Sequence, residues 1–205
     1  MTFASRHQAG QLLGRHLVKQ SIRADLVLGL PRGGVVVAAE VARALNARLD
    51  VLVVRKIGHP SHREFAVGAM AENDVVLLDS SAPANTRALN DVIAEETARL
   101  KSYQERLGIA LRPPLKGKRL VLVDDGLATG ATMDAAVRSA RKQEAGSVTV
   151  AVPVASTNAI DRLRENADDV VTLFADPLFD AVGRYYELFG QTEDDEVLHL
   201  LREGR

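Results

Sequence analysis

Short runs of Val, Leu and Ile recur along this chain, separated by stretches in which apolar residues return every three or four positions. Leu26–Leu30 and Leu49–Val54 read as buried strands, with a helix near Val35–Leu45 between them. Arg119–Val123, Ser147–Val152 and Val170–Phe174 continue the series, with helical stretches at about Thr132–Ala145 and Thr157–Asn166. Phe65–Met70 and Val75–Leu78 read as further strands around a polar turn at Glu72–Asp74. Strands that are apolar on both faces and alternate with helices predict an α/β fold, a parallel twisted sheet with helices on both sides. Gly146 is expected just past a helix end, where its missing Cβ permits positive φ.

Composition narrows the class. With 205 residues, 46% of them hydrophobic, the chain can bury one core. A single domain over 1–205 is expected: a core at about 22–174, a helical insertion at about 85–108 and a hood at about 175–205. The 26 basic and 27 acidic side chains leave a net charge of −1, which argues against a nucleic-acid binder. The absence of cysteine excludes disulfides, thiolate metal sites and thiol catalysis. No apolar run reaches the ~18 residues that a spanning helix needs, so no membrane partner is expected.

Three segments need separate reading. Arg6, Arg15, Lys19 and Arg23 precede any acidic residue, as in a transit peptide, but Leu12, Leu13, His16 and Leu17 are spaced as in a first helix. The helix is the better reading, and a cytoplasmic location is expected. From Thr86 to Leu107 the apolar positions Leu89, Ile93, Leu100, Tyr103 and Leu107 recur at helical spacing, and Gly108 with Pro113-Pro114 ends the pattern. This long helix suits a flap, an oligomer face or a helix packed on the sheet. Glu193–Glu196 reads as the charged first turn of a last helix carrying Val197, Leu198 and Leu201.

The chemistry is concentrated in Val121-Leu122-Val123-Asp124-Asp125-Gly126-Leu127-Ala128-Thr129-Gly130-Ala131-Thr132. A buried strand delivers two carboxylates to its C-terminal end, where ligands bind in open α/β sheets. A loop of small residues then opens a helix, whose N–H groups and dipole favour phosphate. Thr129 and Thr132 add hydroxyls, and Gly130 permits close approach. Two carboxylates beside a phosphate nest would repel their ligand unless hydroxyls lay between, as in a phosphorylated sugar. The loop is neither a Walker A nor a dinucleotide fingerprint.

At these residues the sequence resembles the type I phosphoribosyltransferases, whose signature for 5-phosphoribosyl-1-pyrophosphate (PRPP) has this form. The resemblance implies that Ala128, Thr129, Gly130, Ala131 and Thr132 wrap the 5′-phosphate, with Gly126 beside them, and that Asp124 and Asp125 hold the ribose hydroxyls. Gly29-Leu30-Pro31-Arg32-Gly33-Gly34 is similar to the family's pyrophosphate loop, in which the Pro31–Arg32 peptide is expected to be cis. Arg55-Lys56, after the second core strand, matches a basic pair found in several branches, and Ile57–Glu64 falls where the family has a mobile loop. That segment reads equally as an inert surface loop, and His59 and His62 within it are too few for a zinc site. The three motifs together look closest to a bacterial subgroup of the family.

The implied reaction displaces pyrophosphate from C1 of ribose by a nitrogen nucleophile. Arg32, Lys56 and Asp125 are the expected catalytic residues; Pro31, Gly33, Gly34 and Arg55 complete the substrate contacts. Mg²⁺ is expected to be carried mainly on PRPP, with no dedicated protein cage. Ala128 stands where hypoxanthine–guanine members have an aspartate, so 6-oxopurine chemistry is not expected. Base contacts would come from Pro153–Ser156 and Asp176–Tyr186, where Phe179, Tyr185 and Tyr186 are either stacking partners or hood core. PRPP and an unidentified base are the expected partners, with a homodimer as the expected assembly. A PRPP-binding regulator and a phosphoribosyl-compound hydrolase remain open alternatives.

Overall fold

A computed structural model describes residues 1–84 and 86–205. Five parallel strands form the central sheet: β1 (Leu26–Gly29), β2 (Arg48–Val51), β6 (Arg119–Val123), β7 (Ser147–Ser156) and β8 (Asp169–Asp176), in the order β2-β1-β6-β7-β8. Successive side chains of a strand point to opposite faces, and the core divides accordingly. Val27, Val121 and Val123 pack with α1 (Arg6–Lys19) and α2 (Gly33–Leu45). Leu26, Leu28, Leu120 and Leu122 pack with α4 (Ala131–Lys142) and α5 (Thr157–Arg164). Helices therefore cover both faces, as the continuous Val/Leu runs predict.

The amino-terminal basic segment is a helix of the domain. Leu13 and Leu17 of α1 are fully buried, and a Cβ on Gly10 would lie 2.8 Å from the Val37 carbonyl oxygen, so α1 and α2 pack with their backbones close together. The last helix, α6 (Asp194–Gly204), buries Val197, Leu200 and Leu201 in the same layer. The hood expected over 175–205 thus stops before α6, because that helix's apolar stripe faces the core.

The insertion departs most from the expected pattern. β3 (Val54–His59), β4 (His62–Ala71) and β5 (Val75–Leu78) form a separate antiparallel sheet. The second strand ends at Val51 rather than Val54, and Ile57–Glu64 is a tight hairpin rather than a loop. One side of this small sheet packs Ile57, Val67 and Met70 with Leu89, Val92 and Leu100 of α3 (Arg87–Leu107). Its other side buries Ala69, Ala71 and Val75 against Met133, Ala136 and Ala140 of α4. The long helix is therefore packed on a sheet, though not the parallel one. Thr86 caps it by accepting a 3.2 Å bond from the Leu89 N–H, and Gly108 ends it at φ 65°.

Buried polar groups stitch the insertion to the core. Arg112, beyond α3, donates to both Glu72 carboxylate oxygens at 3.2 and 2.5 Å and to the Val51 carbonyl at 2.6 Å. Glu72 also accepts from the Val53 N–H at 2.8 Å. The helix end expected at Gly146 is turned instead by Glu144, at φ 58°. Gly146 serves close approach: a Cβ there would lie 2.6 Å from the Gly117 carbonyl.

Candidate active site

β1 and β6 are neighbours in register, Gly29 opposite Val123, so the loops that leave their carboxyl ends emerge side by side. The Leu30 N–H donates to the Val123 carbonyl at 2.9 Å, which fixes the first turn. The Pro31–Arg32 peptide is cis, as expected, and α2 begins at Gly33. A Cβ on Gly33 would stand 2.3 Å from Asp125 Oδ2, and one on Gly34 would stand 2.7 Å from Asp124 Oδ1. The glycine pair and the acidic pair, separated by about 90 residues of chain, are thus in direct contact.

The two carboxylates have different surroundings. Burial and the neighbouring Asp125 charge push the Asp124 carboxyl well above the usual carboxylate range, although it accepts a 2.8 Å bond from the Asp125 N–H. Asp125 accepts a 2.7 Å bond from Arg6 Nε of α1. Arg6 also donates to the Gly190 carbonyl at 2.7 Å and lies 3.9 Å over the Phe189 ring. No motif marked Arg6; the basic character of the first helix was its sole trace in the sequence.

The loop after the acids is held from below. Leu127 donates to the Val154 carbonyl at 3.0 Å and accepts from the Ser156 N–H at 2.9 Å. The Ser156 hydroxyl donates to the Ala128 carbonyl at 2.6 Å. Ala128 and Thr129 are left exposed, Gly130 adopts φ 74°, and α4 starts at Ala131 with Thr132 in its first turn. The N–H groups of a helix's first turn have no partner within the helix, and such a start favours an anion. Gly126 faces away: a Cβ there would meet Val182 at 2.8 Å and Val154 at 3.1 Å, so this glycine makes room for the hood.

The hood is built from both ends of the chain. Phe3 donates to the Tyr185 carbonyl at 2.7 Å and accepts from the Glu187 N–H at 2.8 Å. Phe3, Tyr185 and Tyr186 are buried together, and Phe179 stacks on Tyr185 at 5.1 Å. These aromatics are hood core rather than a ready stacking platform. The Tyr185 hydroxyl donates to Asp176 at 2.7 Å, and burial pushes it up to about 12. The Tyr186 hydroxyl, also raised by burial, donates to the Asp125 carbonyl at 2.6 Å and so props the acidic loop.

The basic residues divide between two clefts. Arg32 and Arg55 line one of about 500 Å³, which α3 walls with Arg99 and Arg106. Lys56 lines an adjoining cleft with Arg63. Among the described residues no three His, Asp or Glu side chains stand close enough to hold a metal ion; His59 and His62 face each other 5.9 Å apart at the hairpin turn.

Known proteins share this fold. The protein TT1426 from Thermus thermophilus superposes with a TM-score of 0.84 at 43% identity, over 100% of this chain and 99% of that one. The purine phosphoribosyltransferase of Pyrococcus horikoshii shares the fold, with a TM-score of 0.51 at 17% identity over 92% of this chain and 93% of that one. A Mycobacterium tuberculosis protein described as "Putative phosphoribosyl transferase" is 44% identical over 204 residues, 97% of this chain. The chain spans 46% of that relative's length. No described helix is long and apolar enough to cross a membrane. The phosphoribosyl transferase domain model matches residues 5–182, and with 178 of its 205 residues so matched the chain belongs to the phosphoribosyltransferase family.

Proposed function

We propose that this chain transfers the 5-phosphoribosyl group of PRPP to a nitrogenous base and releases pyrophosphate. The observation that carries this reading is the contact of Gly33 and Gly34 with Asp125 and Asp124, which joins a nest for a leaving diphosphate to acceptors for ribose hydroxyls. The 5′-phosphate would sit on Ala128–Thr132, against the start of α4. The ribose 2′- and 3′-hydroxyls would donate to Asp124 and Asp125. A ring nitrogen of the base forms a bond to C1′ as the C1′–O bond to pyrophosphate breaks. Pyrophosphate leaves with the electron pair, and the nitrogen gives up its proton.

Catalysis of this kind needs charge placed where charge develops. Arg32 and Arg55 would balance the departing pyrophosphate, with Lys56 at the edge, and the Asp125 carboxylate would offset the positive charge of the oxocarbenium-like transition state. Asp124 and Asp125 present hard oxygens that suit a Mg²⁺ ion arriving on the substrate's own oxygens. When bound, that ion supplies charge neutralisation to the diphosphate.

A ³¹P NMR time course of PRPP with Mg²⁺, the protein and a pool of nucleobases tests the reading. Growth of a free-pyrophosphate signal that requires a base is the expected result, and splitting the pool then identifies the acceptor. PRPP lines unperturbed by the protein would overturn it.

A further inference from the structure

The cleft between the 31–34 loop and α3 carries chemistry that the three motifs do not account for. Its volume of about 500 Å³ lies within the ~300–1,000 Å³ typical of small-molecule sites. Arg32, Arg55, Arg99 and Arg106 line it, together with Tyr103 and Asp194. Four guanidiniums from three separate elements thus face one space.

Three of the four are held in place by carboxylates within 3 Å. Glu96, buried on α3, accepts from Arg55 of β3 and from Arg99 Nη1 at 2.8 Å. One carboxylate set between two guanidiniums fixes both, and the cleft lining itself carries four guanidiniums against the single carboxylate of Asp194. Arg99 also reaches the exposed Glu95 at 2.5 Å. Arg106 lies 2.5 Å from Asp194 of α6 and 4.9 Å over the Tyr103 ring, whose hydroxyl donates to the other Asp194 oxygen at 2.9 Å. Arg32 meets Glu193 at 3.8 Å, but that carboxylate is 72% exposed and solvent screens the pair.

We propose that this cleft seats a diphosphate, with Arg99 and Arg106 of the inserted helix contacting its distal phosphate while Arg32 and the Gly33-Gly34 amides hold the proximal one. This rests on the PRPP reading above and extends it to residues outside the three motifs. A monocarboxylate would be satisfied by one guanidinium fork. Forks on both walls of a cleft match an extended anion with charge on two centres. The cleft also borders the start of α2, where backbone N–H groups favour phosphate. The insertion then has a chemical role: it supplies the far wall of the leaving-group site.

Calorimetric titration of inorganic pyrophosphate, PRPP and ribose 5-phosphate into the full chain and its variants tests this. Both α3 arginines are 55% exposed, so their replacement should leave the fold intact. R99A and R106A should each lose at least about tenfold in affinity for pyrophosphate and PRPP, with ribose 5-phosphate within about twofold of wild type. D194N cuts the same α3–α6 tie from the other side while leaving Arg106 free, and should bind pyrophosphate at least as tightly as wild type. Equal loss in D194N and R106A would show a merely structural tie and overturn the proposal, as would unchanged pyrophosphate binding in both arginine variants or none in wild type. If wild type binds pyrophosphate with this arginine dependence but neither PRPP nor ribose 5-phosphate, the subsite stands and the PRPP reading falls. If PRPP binds wild type and both arginine variants alike, the subsite alone falls.

Discussion

Arg6 and Asp125, 119 positions apart in the chain, meet through a 2.7 Å bond at the carboxylate to which the proposed function assigns a ribose hydroxyl. The same guanidinium holds the hood through Gly190 and Phe189. A ligand hydroxyl that donates to Asp125 Oδ2 therefore shares that oxygen with a charged donor and competes with it. R6A should tighten ribose 5-phosphate binding by about fivefold, equivalent to ~1 kcal/mol of competing ion pair. Titration calorimetry of wild type and variant decides it; unchanged or weaker binding would assign Arg6 a supporting role instead.

Asp124 gives a prediction with a definite sign. Its folded carboxyl binds protons more tightly than the unfolded one, so stability falls as pH rises from about 4 toward its raised value. Above that range, keeping this carboxyl buried beside Asp125 is a cost to the fold. D124N should raise the melting temperature at pH 7 by about 2–4 °C, the equivalent of ~1 kcal/mol in a chain of this size. The gain should vanish below about pH 4, while ribose 5-phosphate binding weakens at least tenfold. Thermal melts across pH check the first part. Equal melting temperatures at pH 7 would refute it.

Asp25 behaves in the opposite way. Hydrogen bonds from the Arg119 side chain and backbone pull its carboxyl down to about 2. Its contribution is present above about pH 4 and lost as pH falls toward 2. Urea midpoints of wild type and D25N should therefore differ at pH 7 and converge near pH 2.

The Glu72–Arg112 pair is almost wholly buried, at 1% and 6% exposure. Removing one partner strands the other, so R112A should cost about 3–5 kcal/mol, whereas the double change E72M/R112M strands no charge and should cost less, about 1–3 kcal/mol for the Val53 N–H that loses its acceptor. Denaturant unfolding of the two variants separates these cases.

The residues that carry the resemblance were all legible in sequence, because each motif is local: a strand, its terminal acids or glycines, and the helix that follows. The parallel sheet was legible for the same reason, since strands apolar on both faces leave a continuous Val/Leu signature. Period alone could not show that β3–β5 form their own antiparallel sheet, because Val54 continues the apolar run of β2 and only pairing partners separate the two. Arg6, Arg99 and Arg106 were equally invisible. Each is a common surface residue on an amphipathic helix, and only the tertiary fold brings it to Asp125 or to the cleft. Gly126 looked like part of the ligand loop, yet the side chain that excludes a Cβ there is Val182, from the hood.

The inserted sheet lies between α3 and α4, and α4 is the helix whose first turn carries Thr132 and whose start adjoins Gly130. One flank of α4 is thus kept dry by Ala69, Ala71 and Val75, and its Ser139 hydroxyl donates to the Glu72 carbonyl at 2.8 Å. Trimming the chain back to its five-stranded sheet would unwrap that helix and wet its inner face. The loop that precedes α4 would lose one side of its scaffold, so the insertion steadies a second edge of the candidate site besides the cleft it walls.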